Sequence, residues 1–205
     1  MNPEKLVDFI KISERLEGEH RLTRLSNGDN QTVASHSWNM ANMAIMFWPY
    51  LNNNVDMTRV LQMCILHDLP EAIAHDIPLH KQTPLVKQQK QQDEMHAIAT
   101  INALLDDKNI ASLFAEYETR QTPESRLVKM LDILDTGVQH MCARDISYVG
   151  TYENSFYWKL FFSDDFAHSF DVEPALKKVY NEIRNRVAKR LKQEQNIDVT
   201  VFYKK

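Results

Sequence analysis

Glycine is scarce in this chain, four residues in 205, and it is the residue that most readily adopts left-handed backbone. Few places are left for tight hairpins, which disfavours a sheet-rich fold. Long apolar runs are absent too. No stretch approaches the ~20 residues that a membrane span needs, and MNPEKLVDFIKISERLEGEH at the start lacks a signal-like apolar core. The expectation is a cytoplasmic protein with no membrane partner. Basic charge is not in excess, with 24 Lys and Arg against 28 Asp and Glu, so no overall field draws a nucleic acid polymer, although a small phosphorylated ligand stays possible. Only two cysteines occur, Cys64 and Cys142. Both lie in apolar helical segments of a chain whose size does not oblige it to be stapled, so they read as reduced thiols.

What is there reads as helices. An apolar fraction of 43% in 205 residues suits one domain over 1–205 with a substantial core. A helical stripe at Leu6, Phe9, Ile10 and Ile12 fades by His20, and SNGDNQT reads as a polar loop. VASHSWNMANMAIMFW is apolar almost all round, as in a buried central helix. Residues 57 to 67 give a helix that must bend at HDLP, because Pro70 removes an N–H and disfavours α geometry at Leu69. A short helix from Pro70 closes before Pro78. Beyond the polar stretch KQTPLVKQQKQQDE, helical spacing resumes at Met95, Ile98, Ile101, Leu104 and Leu105, and another helix runs from Ile110 to Tyr117. Thr122 caps a further helix that carries Asp132 and Asp135. An aromatic-rich stretch over 151–170 suits core or interface packing better than base stacking. A charged amphipathic helix follows from about Val172 to Gln193, its basic face solvated and Val179, Ile183, Val187 and Leu191 packed. IDVTVFYKK alternates like a strand but has no partner, and is read as a tail.

The chemistry concentrates in LQMCILHDLPEAIAHDIP, where His-Asp occurs twice, at His67-Asp68 and at His75-Asp76. A metal site needs several donors converging from different elements. Helical neighbours point ~100° apart, so His67 and Asp68 reach one ion only where the backbone distorts, as the bend at Pro70 permits. His36 and Asp132, on two other helices, could complete a four-ligand set; separately satisfied polar residues are the alternative. Glu71 falls on the face of His67 and Asp68 and could position a metal-bound water or protonate a leaving oxygen. Otherwise it is a solvated first-turn glutamate. Cys64 is a poor ligand beside hard donors and reads as core.

These residues carry a resemblance. His36, His67-Asp68 and Asp132 stand in the order of the H...HD...D motif of HD-domain phosphohydrolases. TVASHS resembles the family's VAEHS segment, LHDLPEAIAHDIP its LHDxxExxxGDxP stretch, and LVKMLD its LVKxAD segment. The likeness covers roughly residues 10 to 145, leaves 150–195 as a helical extension, and points to the 5'-deoxynucleotidase-like subfamily. It implies an all-α HD-domain helical bundle, often a homodimer. His36, His67, Asp68 and Asp132 would bind a divalent ion (Mn2+, Co2+, Zn2+ or Mg2+), with Glu71 as the catalytic carboxylate. Asp76 would contact the sugar of a small nucleotide and Arg21 its phosphate. Removal of triphosphate from a deoxynucleoside triphosphate is the alternative reaction, and a non-catalytic nucleotide-binding module the alternative class. Three departures stand out. Leu22 occupies the place of a tryptophan, Ser35 that of a glutamate, and His75 that of a glycine. Arg24, one helical turn beyond Arg21, is a second phosphate candidate, a solvated arginine being the alternative for either. Asp135, which shares a face with Asp132, is expected beside the site or facing solvent.

Overall fold

The computed structural model describes residues 2–52, 54–78, 81–106, 109–150 and 155–202. Helix α1 (Pro3–Glu14) starts on Asn2, whose side chain accepts from the backbone N–H of Glu4 and Lys5, and runs into a 3-10 turn, Arg15–Glu17. The segment read from sequence as a fading helix and a polar loop is instead an antiparallel hairpin of β1 (His20–Arg24) and β2 (Asn30–Thr32). One of the four glycines makes it possible: Gly28 closes the turn at φ +99°, a conformation that side chains with a Cβ rarely adopt. The hairpin leads directly into α2 (Val33–Phe47). Thr32 and Ser35 cap that helix reciprocally, so Ser35 has a local structural task at its departure from the family pattern.

The chain continues through α3 (Met57–Leu66), α4 (Glu71–Ala74), α5 (Pro84–Leu105), α6 (Asn109–Thr119) and α7 (Pro123–Cys142), the last capped by Thr122 as expected. Short helices α8 (Ser147–Gly150), α9 (Ser155–Phe161) and α10 (Asp164–His168) precede α11 (Pro174–Gln195). No helix among the described residues is long and apolar enough to cross a membrane. Three further expectations need correcting. Helix α5 begins at Pro84, inside the polar stretch taken to precede it. It is an exposed helix that buries only Ala97, Ile98 and Ile101 near its end, so its first turns carry no apolar period to read. Helix α2 is apolar all round but not buried all round, for Trp38 is 65% exposed and Met46 62%. The C-terminal segment forms a 3-10 turn, Val199–Phe202, with Val199 in the core rather than in a free tail.

Two apolar clusters organise the molecule. The larger joins α2, α3, α7, α9 and α11, and includes Met40, Met63, Leu131, Trp158, Phe161, Phe162 and Tyr180. Trp158, Phe161 and Phe162 thus pack a core, as expected for that aromatic stretch; Tyr152 lies outside the described residues, as do the side chains of Phe156 and Tyr157. Helices α7 and α11 approach so closely that a Cβ on Gly137 would meet Ile183 Cγ2 at 2.8 Å. The smaller cluster gathers Leu16, Val33, Leu69, Ala72, Ile98, Ile101, Ile110 and Phe114, and Leu66 packs against both. The bend after α3 therefore lies at the seam of the two clusters.

Candidate functional site

At that seam the backbone leaves the α ladder. His67 still donates its N–H to Met63, but Leu69, Glu71 and Ala72 bond to Leu66, Asp68 and Leu69 respectively, each a three-residue step. The tightened path that Pro70 imposes brings His67 and Asp68 to one side: His67 Nε2 lies 3.1 Å from Asp68 Oδ2. His36, from the second turn of α2, places its ring 5.3 Å from that of His67, edge to face. Asp132, from the middle of α7, has Oδ1 3.4 Å from His36 Nε2. One donor atom each of His36, His67 and Asp132 lies within 4.8 Å of the others, an arrangement that could hold a metal ion. Asp68 stands just outside this mutually close set, with Oδ2 3.7 Å from His36 Nε2.

The histidines fit an ion by their second nitrogens. His36 Nδ1 is 2.6 Å from Asp135 Oδ2, and His67 Nδ1 is 3.0 Å from the carbonyl of Cys64. Both rings are thereby oriented, leaving Nε2 of each as the atom turned to the site. Both Nε2 atoms are buried and have no hydrogen-bond partner among the described residues, although carboxylate oxygens lie nearby. Two imidazole nitrogens and carboxylate oxygens form a donor set suited to a divalent transition ion or magnesium. Cys64 serves through its backbone. Its thiol is buried and pushed up to about 12, mainly by desolvation, which leaves it a core residue.

Asp135 was only half foreseen. It is fully buried, not solvent-facing, and accepts from His36, from Gln31 Nε2 at 2.8 Å, from Gln139 Nε2 at 3.2 Å and from Asn39 Nδ2. Gln31 in turn accepts from Thr23 Oγ1 at 2.8 Å, so the hairpin, α2 and α7 are tied through one carboxylate. Burial opposes ionisation of Asp135, but these hydrogen bonds outweigh it and lower its pKa. The His36 imidazole is raised: burial and Arg21 oppose its protonation, and Asp132 and Asp135 prevail.

Arg21 enters from β1. Its Nη1 is 3.0 Å from Asp68 Oδ2 and its Nη2 3.9 Å from Asp132 Oδ1, while Nε is buried without a hydrogen-bond partner among the described residues. Burial would favour the neutral guanidine, yet Asp68, Asp132, Asp76 and Glu71 hold the charge firmly in place. Lys129 Nζ takes the other oxygen of Asp132 at 2.7 Å. Arg24 is not a helical turn from Arg21. Both lie on β1, whose pairing with β2 is irregular between His20 and Arg24, and Arg24 rests over the Tyr148 ring at 5.2 Å. Leu22, in place of a tryptophan, packs against the larger core.

Glu71 is buried at 3% exposure, which excludes the solvated first-turn reading. Its Oε1 accepts from Lys90 Nζ at 3.0 Å, and its Oε2 is buried and unpartnered among the described residues. Desolvation pushes Glu71 up to about 9, Asp68 adds to this, and Lys90 only partly opposes it. Lys90 keeps its charge, because Glu71 and Glu94, the latter at 2.5 Å, more than offset its burial. Lys90 and Glu94 were missed from sequence. They sit in the polar turns of α5, where nothing distinguishes them from their exposed neighbours. Asp76 lines the same cavity and is raised, chiefly by burial, with Arg21 opposing. The backbone explains His75. It adopts φ +65° with its side chain 74% exposed and Nδ1 2.9 Å from Glu19 Oε2. Glu19 also accepts from the Asp76 N–H at 3.0 Å. A position with positive φ suits glycine; here a histidine tolerates it and is held by Glu19.

Several of these groups, with Glu71 and His36 just behind them, line a cavity of about 570 Å³, a size that suits a small ligand. Arg21, Asp76, Lys90 and Glu94 stand along its wall, Asp68 and Asp132 next to His67, and Arg120 and Tyr117 on the other side of that ring.

Comparison with known proteins points to one family. The family model of the HD domain matches residues 13–162. A 5'-deoxynucleotidase HDDC2 of Danio rerio is 31% identical over 66% of this chain and 68% of its own length, and the 5'-deoxynucleotidase hdd1 of Schizosaccharomyces pombe is 29% identical over 62% and 66%. Among solved structures, a predicted metal-dependent phosphohydrolase of Magnetospirillum magnetotacticum superposes with a TM-score of 0.76 at 23% identity, covering 91% of this chain and 93% of that one. A conserved hypothetical protein of Pyrococcus furiosus gives 0.64 at 26%, covering 87% and 99%.

Proposed function

Because the chain belongs to the HD-domain family, we propose that it is a metal-dependent 5'-deoxynucleotidase, releasing inorganic phosphate from deoxynucleoside 5'-monophosphates. The observation that carries this reading is the pair of buried, unpartnered Nε2 atoms of His36 and His67, converging with Asp132 at a cavity that a nucleotide would fit. In the proposal His36, His67, Asp68 and Asp132 hold the ion, one of Mn2+, Co2+, Zn2+ or Mg2+. Bound there, a divalent ion would polarise a phosphate oxygen and acidify a water.

The chain's own groups supply the rest. Asp135 and the Cys64 carbonyl keep both imidazoles in the orientation that exposes Nε2. Arg21 offers a fixed fork of donors, and its unpartnered Nε marks unused capacity for a phosphate oxygen. Glu71 keeps a proton well above the usual carboxylate range because it is buried beside Asp68. As water oxygen bonds to phosphorus and the phosphorus–O5' bond breaks, that proton passes from Oε2 to the leaving oxygen. Asp76, its N–H anchored by Glu19, is assigned to the sugar.

The proposal treats residues 1–205 as one HD domain, cytoplasmic and paired with a second copy. The exposed apolar side chains of Trp38, Ile45, Met46 and Trp48 offer the face a second copy would cover, which sedimentation would test. For activity, the purified protein is incubated with each of the four ions and a panel of deoxynucleoside mono- and triphosphates. Free phosphate from monophosphates is expected. A triphosphate product would replace this reading with triphosphohydrolysis, and silence across the panel would leave a binding module. Asp68→Ala should abolish turnover with helicity retained; unchanged turnover would refute the proposed metal site.

A further inference from the structure

Arg120 is the cavity residue that the proposed chemistry leaves unused. It follows α6 directly, at φ +54°, a left-handed conformation that is strained for a residue with a Cβ and that glycine or asparagine usually occupies at helix ends. Its guanidinium carbon sits 3.4 Å above the centroid of the Tyr117 ring. Tyr117 in turn packs edge-on against the His67 ring at 5.1 Å. The cation is therefore one ring removed from the proposed metal cluster, on the cavity wall. Nη2 has a loose ion pair with Glu118 at 3.8 Å, whereas Nη1 is buried and has no hydrogen-bond partner among the described residues.

Besides the aromatic face, Arg120 has a polar contact with Tyr117 itself, yet neither this nor a helix-capping role accounts for a buried Nη1 without a hydrogen-bond partner among the described residues. Leaving such a donor unsatisfied is costly, and more so on a charged group. An anionic oxygen in the cavity would remove that cost. The stacking on Tyr117 fixes the plane of the fork, which suits it to planar, directional recognition of an oxyanion.

We infer that Arg120 is a substrate-binding residue whose Nη1 donates to a phosphate oxygen of the bound ester, with Tyr117 as its platform. Arg21 and Arg120 then hold the phosphate from β1 and from the α6–α7 turn, on two independent elements. The inference rests on the phosphohydrolase reading and extends it to a residue outside the motif.

The test uses inorganic phosphate as a probe of the full-length, metal-loaded protein, alongside turnover of all four deoxynucleoside monophosphates. Arg120→Met should weaken phosphate binding in calorimetry about tenfold or more, as loss of a charge-assisted hydrogen bond would. It should raise KM by a similar factor for every base, and Arg120→Lys should fall between Met and the parent. Unchanged phosphate affinity would overturn the inference, and so would a KM effect confined to some bases, which would make Arg120 a reader of the base. If Arg120→Met melts early, Arg120→Gln and Arg120→Lys give the same reading on folded protein. Should the parent release no phosphate from any ester, the functional reading fails, while phosphate calorimetry still decides the role of Arg120. A parent protein that binds no phosphate overturns the inference as well.

Discussion

The two walls of the cavity are built on different physical terms. On the inner wall, His36, His67, Asp68 and Asp132 project from α2, the end of α3 and α7, three elements that share the larger apolar core. Each imidazole is braced by a second partner, and Asp135 gathers four donors in a dry environment. The outer wall comprises the hairpin, the polar turns of α5 and the α6–α7 turn. Its charged groups, Arg21, Lys90, Glu94 and Arg120, come from elements that bury little apolar surface. Rigid placement of donors is the demand on one side, and on the other a charged surface meeting a ligand. The inner wall should therefore trade stability when altered and the outer wall should trade ligand chemistry.

The largest effect is expected at Asp135, where the contrast is sharpest. Asp135→Ala leaves His36 and the amides of Gln31, Asn39 and Gln139 without their shared acceptor. It should destabilise the protein by about 3–5 kcal/mol, as breaking a buried charged network does. Metal affinity should fall about 10–100-fold. Chemical denaturation and metal titration measure the two losses, and a change under ~1 kcal/mol would break the claim that the inner wall is held by this carboxylate.

His140 provides a smaller effect on the same side. It is buried on α7 with Nδ1 2.9 Å from the Tyr148 hydroxyl, and desolvation lowers its pKa from the ordinary 6.5 to about 3. Below pH 6.5 the unfolded chain takes up a proton that the folded chain refuses until about pH 3, so stability falls as pH falls through that window and is fully present above it. Between pH 6 and pH 5 this amounts to about 1 kcal/mol. Urea unfolding at the two pH values, with His140→Gln as the control that flattens the difference, checks the sign and the size.

Lys90→Met sharpens the comparison from the other side. Losing the cation beside Glu71 should lower kcat about 10–100-fold, the range expected when a general acid is misplaced. Folding stability should fall less than in Asp135→Ala, since Glu71 can keep its proton once the cation is gone and Glu94 stays partly exposed. Lys90→Arg should restore part of the turnover. A stability loss as large as that of Asp135→Ala would erase the distinction between the walls.

The sequence made one wall legible and hid the other. His36, His67, Asp68 and Asp132 could be named because a metal site needs particular residue types, and their spacing sits on periodic apolar helices. Glu71 was one of two readings from its offset to Asp68, and the resemblance assigned it. Arg21 was found through resemblance, but its strand was missed, since TRLSNGDNQT offers too few apolar alternations to mark five and three paired residues. Lys90 and Glu94 were invisible in KQQKQQDE, where each charge looks like its neighbours. Burial depends on what packs against a helix, and no periodic pattern in those turns records it. His75 illustrates the same limit: its identity departs from the family pattern, but only the backbone angle explains why glycine would suit that position.

By itself, then, the sequence determined the helical class, the candidate donor residues and the bend at Pro70, because side-chain chemistry, apolar period and the missing proline N–H are local properties. Tertiary structure decided which nitrogens lack partners, that Asp135 is buried, that Glu71 holds its proton beside Lys90, and that Arg120 faces the cavity with an unspent donor. Those are matters of desolvation and of distances between elements remote in the chain, and they exist only once the helices have packed.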